Sequence, residues 1–255
     1  TTDRRITESA FKDALDGHTK YTHIRGQVEL RDEIRKFYKD EYNLDIEDEE
    51  LMVLASGLFG MYITLQAVLD EGDEVLVLTP CFSSYFMQVK MAGGIAVEVP
   101  TYEEEDFQID SKRLEAYVTP KTKVLVMPFP NNPTGSIMTK EDLEPIVEVV
   151  KKYDLFVISD EIYSELSYDG EHVSIAAFEG MKERTILING FSKGFAMTGW
   201  RLGYACGPKE IIEQMVKIHQ FAIMCAPTNS QYAAVEALRN CDDEVQEMRE
   251  AYNQR

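Results

Sequence analysis

The run Phe191 to Gly203, F-S-K-G-F-A-M-T-G-W-R-L-G, sets one lysine, Lys193, in a polar turn between two apolar strand-like runs, Thr185 to Asn189 and Tyr204 to Cys206. Arg201 follows eight positions later. A lysine amine shielded from bulk water and placed near other cationic or polar groups loses its proton more readily. It can then condense with an aldehyde to form a Schiff base. Spacing alone equally allows a surface lysine in a loop, and the choice between the two readings rests on the loops upstream.

Four of those loops carry unusual residues. After Leu54 comes A-S-G-L-F-G, Ala55 to Gly60, a glycine-led turn that opens a helix. Such a turn offers free backbone N–H groups and the positive end of a helix dipole to a phosphate. It has neither G-x-G-x-x-G nor P-loop spacing, so by itself ordinary packing explains it. After Leu78 the segment T-P-C-F-S-S-Y sends Phe82 and Tyr85 towards the same edge, where a satellite core aromatic is the simpler use. After Met127 comes P-F-P-N-N-P-T-G, Pro128 to Gly135, a stiff turn in which Asn132 can donate from its amide. The next strand ends in S-D-E-I-Y, with Asp160 at its carboxyl edge and Tyr163 three residues on. A carboxylate there either caps a helix or holds a cationic ring nitrogen through a charge-assisted hydrogen bond.

The elements that must position these residues are legible as alternating patterns. Leu51 to Leu54, Glu74 to Leu78, Ile95 to Val99, Lys123 to Met127, Leu155 to Ser159, Thr185 to Asn189 and Leu202 to Cys206 read as strands. Their nearly continuous apolar character predicts that both faces are covered. Val28 to Tyr42, Leu58 to Leu69, Ser83 to Ala92, Lys140 to Tyr153 and Lys209 to Gln220 have helical periodicity, and Thr139 with Asp142 forms a capping signal for the fourth. Alternation of this kind predicts an α/β fold, a three-layer α/β/α arrangement around a mainly parallel mixed sheet, with ligands at the carboxyl ends of the strands. No repeat, low-complexity segment or Gly/Ser/Pro linker divides it.

Composition narrows the partners. The 255 residues carry 26 Lys+Arg against 45 Asp+Glu, a formal charge of −19. Such a chain is repelled by nucleic acid and anionic membrane surfaces unless it has a local basic patch, and no Lys/Arg cluster is long enough to serve. Cys81, Cys206, Cys225 and Cys241 share no C-x-x-C spacing, so neither a zinc site nor a disulfide framework is expected and a reducing cytoplasm fits best. No signal-peptide pattern and no apolar run long enough to span a membrane is visible. Residues 1–20 read as an N-terminal helical segment, and Val245 to Arg255 stop within a charged helical pattern, as in a piece cut from a longer protein.

N-N-P-T-G, S-D-E-I-Y and S-K-G-F-A-M-T-G-W-R-L-G, in this order, are together highly specific, and from about Tyr21 to Arg255 the chain resembles the class I/II aminotransferases of pyridoxal 5′-phosphate fold type I. The resemblance is strongest to the branch that includes aspartate, aromatic and alanine-type enzymes. It implies transfer of an amino group from an L-amino acid to a 2-oxo acid. Lys193 then matches the lysine that binds the cofactor aldehyde and shuttles the proton, and Asp160 the partner of the pyridinium nitrogen. Tyr163 and Asn132 match the donors to the ring's 3′-oxygen, and Phe82 the aromatic stacked on the ring. Arg201, Ser192 and the backbone of Gly57, Leu58 and Phe59 match the phosphate contacts. Tyr21, in Y-T-H-I-R-G, matches the tyrosine that reaches the neighbouring subunit's phosphate, which implies a homodimer with shared active sites. Leu58 departs from the small residue usual there, so a side-chain phosphate contact is not expected at that position.

The resemblance also implies a division into residues 1–20, a cofactor-binding large domain over 21–240, and 241–255 as the start of a helix leading to a C-terminal small domain. The arginine that grips the substrate's α-carboxylate belongs to that small domain, so residues 1–255 alone are expected to turn over little. Two other readings share much of this motif set. One is a β-carbon–sulfur lyase or another amino-acid enzyme on the same scaffold, against which the run A-M-T-G-W-R-L-G argues; the other is a non-catalytic cofactor-binding sensor domain.

Overall fold

A computed structural model describes residues 1–168 and 170–255. Seven strands form one sheet: β1 (Leu51–Leu54), β2 (Glu74–Thr79), β3 (Ile95–Pro100), β4 (Thr122–Pro128), β5 (Phe156–Asp160), β6 (Thr185–Gly190) and β7 (Gly203–Cys206), in the order β1-β7-β6-β5-β4-β2-β3. The five strands from β3 to β6 are parallel to their neighbours, and β7 runs antiparallel to both β6 and β1. The sheet is therefore mixed and mainly parallel, as the alternating pattern predicts.

Period-two alternation assigns the layers. Val75, Val77, Val124, Val126, Ile158, Ile186 and Ile188 face a core shared with α3 (Gly57–Val68), α4 (Ser84–Met91) and α7 (Lys209–Ala222). Their neighbours Leu76, Leu78, Leu125, Met127 and Val157 face α5 (Ser111–Ala116) and α6 (Lys140–Lys152). Further along that second face, Leu51, Val53, Leu187 and Tyr204 pack with α1 (Arg4–Leu15), α2 (Val28–Tyr42) and α8 (Thr228–Asn240). Central strands buried on both faces read as unbroken apolar runs because each side chain in turn enters one of the two cores. β3 departs from that expectation: it is the sheet edge, and Ile95 at its start is 48% exposed.

Helix α6 begins at Thr139, whose hydroxyl accepts from the Asp142 N–H while the Asp142 carboxylate accepts from the Thr139 N–H. That reciprocal box satisfies donors the first turn would otherwise leave open. Helix α8 has no counterpart among the segments read from sequence. Apart from Val235, its buried stripe is made of Ser230, Gln231, Ala233, Ala234 and Ala237, small or polar residues that give little periodic hydrophobicity yet let α1 and α2 approach closely. Helix α9 (Asp242–Asn253) follows after Cys241.

Two glycines at the end of β6 and β7 bring the sheet against the first turn of α3. Gly190 pairs with Gly203, and a Cβ on Gly203 would lie 2.5 Å from the Gly57 nitrogen and 2.8 Å from the Ser56 carbonyl carbon. No side-chain rotation relieves contacts with backbone. Gly203→Ala is expected to lower stability by ~1–3 kcal/mol, the usual cost of overpacking, as read from denaturant unfolding.

On α7, Ile212, Met215 and His219 form the inward face. His219 is fully buried, its ring centroid lies 6.0 Å from that of Phe59, and neither ring nitrogen has a hydrogen-bond partner among the described residues. Burial pushes its pKa down to about 4. Between there and the ordinary value of 6.5 the unfolded chain binds the extra proton and the folded chain does not, so stability falls as pH drops through that window. His219→Leu is expected to flatten this loss by up to about 3 kcal/mol, checked by unfolding curves at pH 7 and pH 4.5.

Candidate active site

The carboxyl ends of β1, β2, β4, β5 and β6 all open on one edge of the sheet, where the chemistry-bearing loops of a parallel α/β fold converge. There Gly57, Leu58, Phe82, Asn132, Asp160, Tyr163, Ser192, Lys193 and Arg201 line one cavity of about 310 Å³. Asn132, Tyr163, Ser192 and Lys193 also line a wider cavity of about 850 Å³, reaching Gln108, Tyr168 and Tyr252. Small-molecule sites commonly fall within about 300–1,000 Å³. Phe59 and Tyr21 lie outside both cavities.

Asp160 closes β5 with its side chain buried on the α3 face. Its Oδ2 accepts from the Tyr85 hydroxyl at 2.7 Å and its Oδ1 from the Ile162 N–H at 3.3 Å. Both partners are neutral, and no ion pair forms to it among the described residues. Burial raises its pKa above the usual carboxylate range, while those two hydrogen bonds pull it part of the way back. A buried carboxylate held only by neutral donors is costly, and a cation brought against it recovers that cost. The site therefore suits a cationic ring nitrogen at Asp160, and the capping role open to this residue in the sequence is not adopted.

The opposite end of the cavity suits an anion. Ser56 is the N-cap of α3, and its hydroxyl accepts from the Phe59 N–H at 3.1 Å. The Phe59 donor is thus consumed by the cap, and its ring packs against Tyr62 and His219. The N–H groups of Gly57 and Leu58 have no partner among the described residues and sit at the positive end of the helix. Gln88 donates to the Leu58 carbonyl at 3.0 Å, tying this turn to α4. Arg201, in the left-handed region at φ 52°, folds back to donate to the Thr198 carbonyl at 2.8 Å and lines the same space. A phosphate-bearing cation such as pyridoxal phosphate matches both ends at once.

Lys193 lies between these ends, its Nζ 5.4 Å from the centre of the Tyr163 ring. Its turn is braced from outside, where the Thr2 hydroxyl donates to the Ala196 carbonyl at 2.8 Å and accepts from Trp200 Nε1 at 3.2 Å. In the proline-rich loop the two asparagines divide the labour. Asn131 is buried, accepts from the Thr134 N–H and hydroxyl and donates to the Pro80 carbonyl, which leaves Asn132 facing the cavity. Phe82 stands 39% exposed at the rim, edge-on to Tyr85.

Ser56 and Tyr85 are the site residues the sequence under-reads. Ser56 had a usable signal, since a serine just before a helix is a favoured N-cap. Tyr85 had none, because its partner is 75 residues away. Tyr85→Phe is expected to raise the Asp160 pKa further by removing a donor to its ionised form. The acid limb of activity then moves to higher pH, and cofactor affinity falls roughly ten- to a hundredfold, in line with the ~1.5–3 kcal/mol of hydrogen bonds to charged groups.

A family model for aminotransferase class I and II matches residues 4–255. The chain belongs to that family. An aspartate aminotransferase of Pyrococcus abyssi is 47% identical across the whole chain, which covers 66% of that protein. The aromatic-amino-acid aminotransferase 2 of Thermococcus litoralis is 43% identical with the same coverage. Among solved structures, an aromatic aminotransferase from Pyrococcus horikoshii superposes with a TM-score of 0.97 at 45% identity, covering 99% of this chain and 69% of that one. The Thermus thermophilus aspartate aminotransferase with maleate gives 0.96 at 41% identity, covering 99% and 66%. The chain thus spans just under two thirds of the length of the curated relatives it matches. The mainly parallel sheet with helices on both faces is the fold of these class I/II aminotransferases.

Proposed function

We propose that the protein is a pyridoxal-phosphate-dependent aminotransferase that moves an amino group from an L-amino acid to a 2-oxo acid, with residues 21–240 as the cofactor-binding unit. The observation that carries this reading is the placement of Lys193 and Asp160 in one cavity, beside an anion-binding helix start. When bound, pyridoxal phosphate supplies an aldehyde for amines and a ring that draws in the electrons left at a substrate's α-carbon. Asp160 holds the ring nitrogen in its protonated form. Tyr163 and Asn132 would donate to the ring's oxygen, and Phe82 would stack on the ring. The N–H groups of Gly57 and Leu58, with Ser192 and Arg201, anchor the phosphate and take no part in bond breaking. Lys193 Nζ would hold the cofactor's aldehyde and, when free, would take up and return the substrate's α-proton.

Substrate amino and oxo acids enter through the wider cavity. Aspartate and aromatic amino acids, named for the relatives, are the first candidates. A homodimer with shared sites is part of the same reading, with Tyr21 reaching the neighbour's phosphate. Tyr21 is 79% exposed, between Lys20 and Thr22, which are bound to Thr228 and Gln231 of α8. Phe221 and Met224, a few residues before Thr228, are also exposed, and the Phe59–His219 contact joins that region to Leu58. An apolar rim of this kind beside an active site suits a second copy. A cytoplasmic location is part of the same reading and is supported by the four free cysteines; no described helix is long and apolar enough to cross a membrane. The test is half-transamination: the cofactor-loaded full-length protein, rather than residues 1–255 alone, is mixed with single amino acids and the cofactor's visible absorption is followed. Conversion by aspartate or an aromatic amino acid is expected, and no conversion with any amino acid sinks the proposal.

A further inference from the structure

Behind Asp160, on the opposite face of the sheet, lies a second buried carboxylate. Ser159 and Glu161 flank Asp160 in sequence, and alternation turns their side chains towards the α6 face while Asp160 faces α3. Glu161 is 1% exposed. Its Oε1 accepts from the hydroxyls of Ser159 at 2.9 Å and Ser174 at 2.8 Å, and its Oε2 lies 3.1 Å from Nε2 of the buried His172. That last contact is close but lacks the geometry of a hydrogen bond. Tyr42 of α2 stands edge-on to the His172 ring at 5.9 Å, and Glu165, mostly buried with its pKa raised by burial, is the other acid that His172 influences.

The backbone around Glu161 connects this cluster to the site. The Glu161 N–H donates to the Ile188 carbonyl of β6, and its own carbonyl accepts from the Ser164 N–H, closing the turn that carries Tyr163. His172 and Ser174 come from the segment before Ile175, so the cluster joins the end of β5 to a stretch of chain up to 13 residues beyond Glu161. Burying a carboxylate here costs desolvation that an apolar residue of similar volume would avoid, so stability alone is a poor reason for it.

We propose that Glu161, clamped by His172 and Ser174, is a positioning residue that fixes the end of β5 from behind, so that Asp160 and Tyr163 hold the cofactor ring in register. The inference rests on the aminotransferase reading, but it concerns residues that touch neither cofactor nor substrate.

The test titrates the cofactor-free full chain with pyridoxal phosphate and records the bound cofactor's visible band, alongside the melting temperature of the cofactor-free protein. Glu161→Gln and His172→Phe are each expected to raise the dissociation constant about tenfold and to shift the band, the order of loss seen when partners behind a bound group's ligands are removed. Should either variant fail to fold, Ser174→Ala, which removes one donor to Glu161, is expected to weaken binding about threefold. An unchanged dissociation constant and band in folded variants, even with a lowered melting temperature, overturns the inference and leaves the aminotransferase reading intact. Failure of the unsubstituted chain to bind pyridoxal phosphate overturns both.

Discussion

Lys193→Ala is expected to lower kcat for amino-group transfer by about 10⁴-fold, the upper end of what a positioned general acid–base contributes. The reason is that in the proposed function one atom, Nζ, serves as both the covalent anchor for the cofactor aldehyde and the group that moves the α-proton. Among the described residues no other lysine lines either cavity, so no neighbouring lysine side chain substitutes for it. The loss is specific to that amine. Asp160, Asn132 and the first turn of α3 remain in place, so the variant is expected to retain cofactor. Small primary amines added to the solution are expected to restore a measurable part of the rate. Steady-state kinetics with and without methylamine check both statements. A variant that keeps more than a tenth of wild-type kcat would remove Lys193 from the chemistry.

The sheet and the polar loops at its carboxyl edge were legible because fully buried strands and proline- or glycine-rich turns leave strong local signatures. β1 and α2 carry the boundaries read from sequence, and the remaining strands shift by one or two residues. β3 deviates because an edge position is a property of sheet order rather than of the run Ile95 to Val99. Helix α8 escaped because a stripe of Ala233, Ala234 and Ala237 packs tightly without standing out as hydrophobic. At the site, residues that follow strand ends were recognisable one at a time, Lys193 and Asp160 above all. What sequence could not show was their support: the Tyr85 hydroxyl on Asp160, the Ser56 cap that removes the Phe59 N–H from the cradle, and the Glu161 cluster behind the sheet. Each depends on side chains distant in sequence or on a hydrogen bond that competes with the expected one.

Asp160→Asn is expected to act with opposite signs on the protein with and without cofactor. Without cofactor, the buried carboxylate has a pKa raised above its ordinary 3.8. Its ionised form is therefore disfavoured in the folded chain, and stability is lost as pH rises from 3.8 through the raised value. Asparagine carries no charge and can still accept from Tyr85, so the cofactor-free variant is expected to melt at or above the wild-type temperature at pH 7. With cofactor, the same carboxylate is the group proposed to keep the ring nitrogen protonated. Removing one partner of a buried ion pair costs ~3–5 kcal/mol, and at about 1.4 kcal/mol per decade the rate of amino-group transfer falls roughly 10²–10⁴-fold. Thermal melts of both forms, together with single-turnover half-transamination, test the two halves separately. A variant that melts lower without cofactor and reacts normally with it would show that Asp160 serves the fold rather than the ring nitrogen.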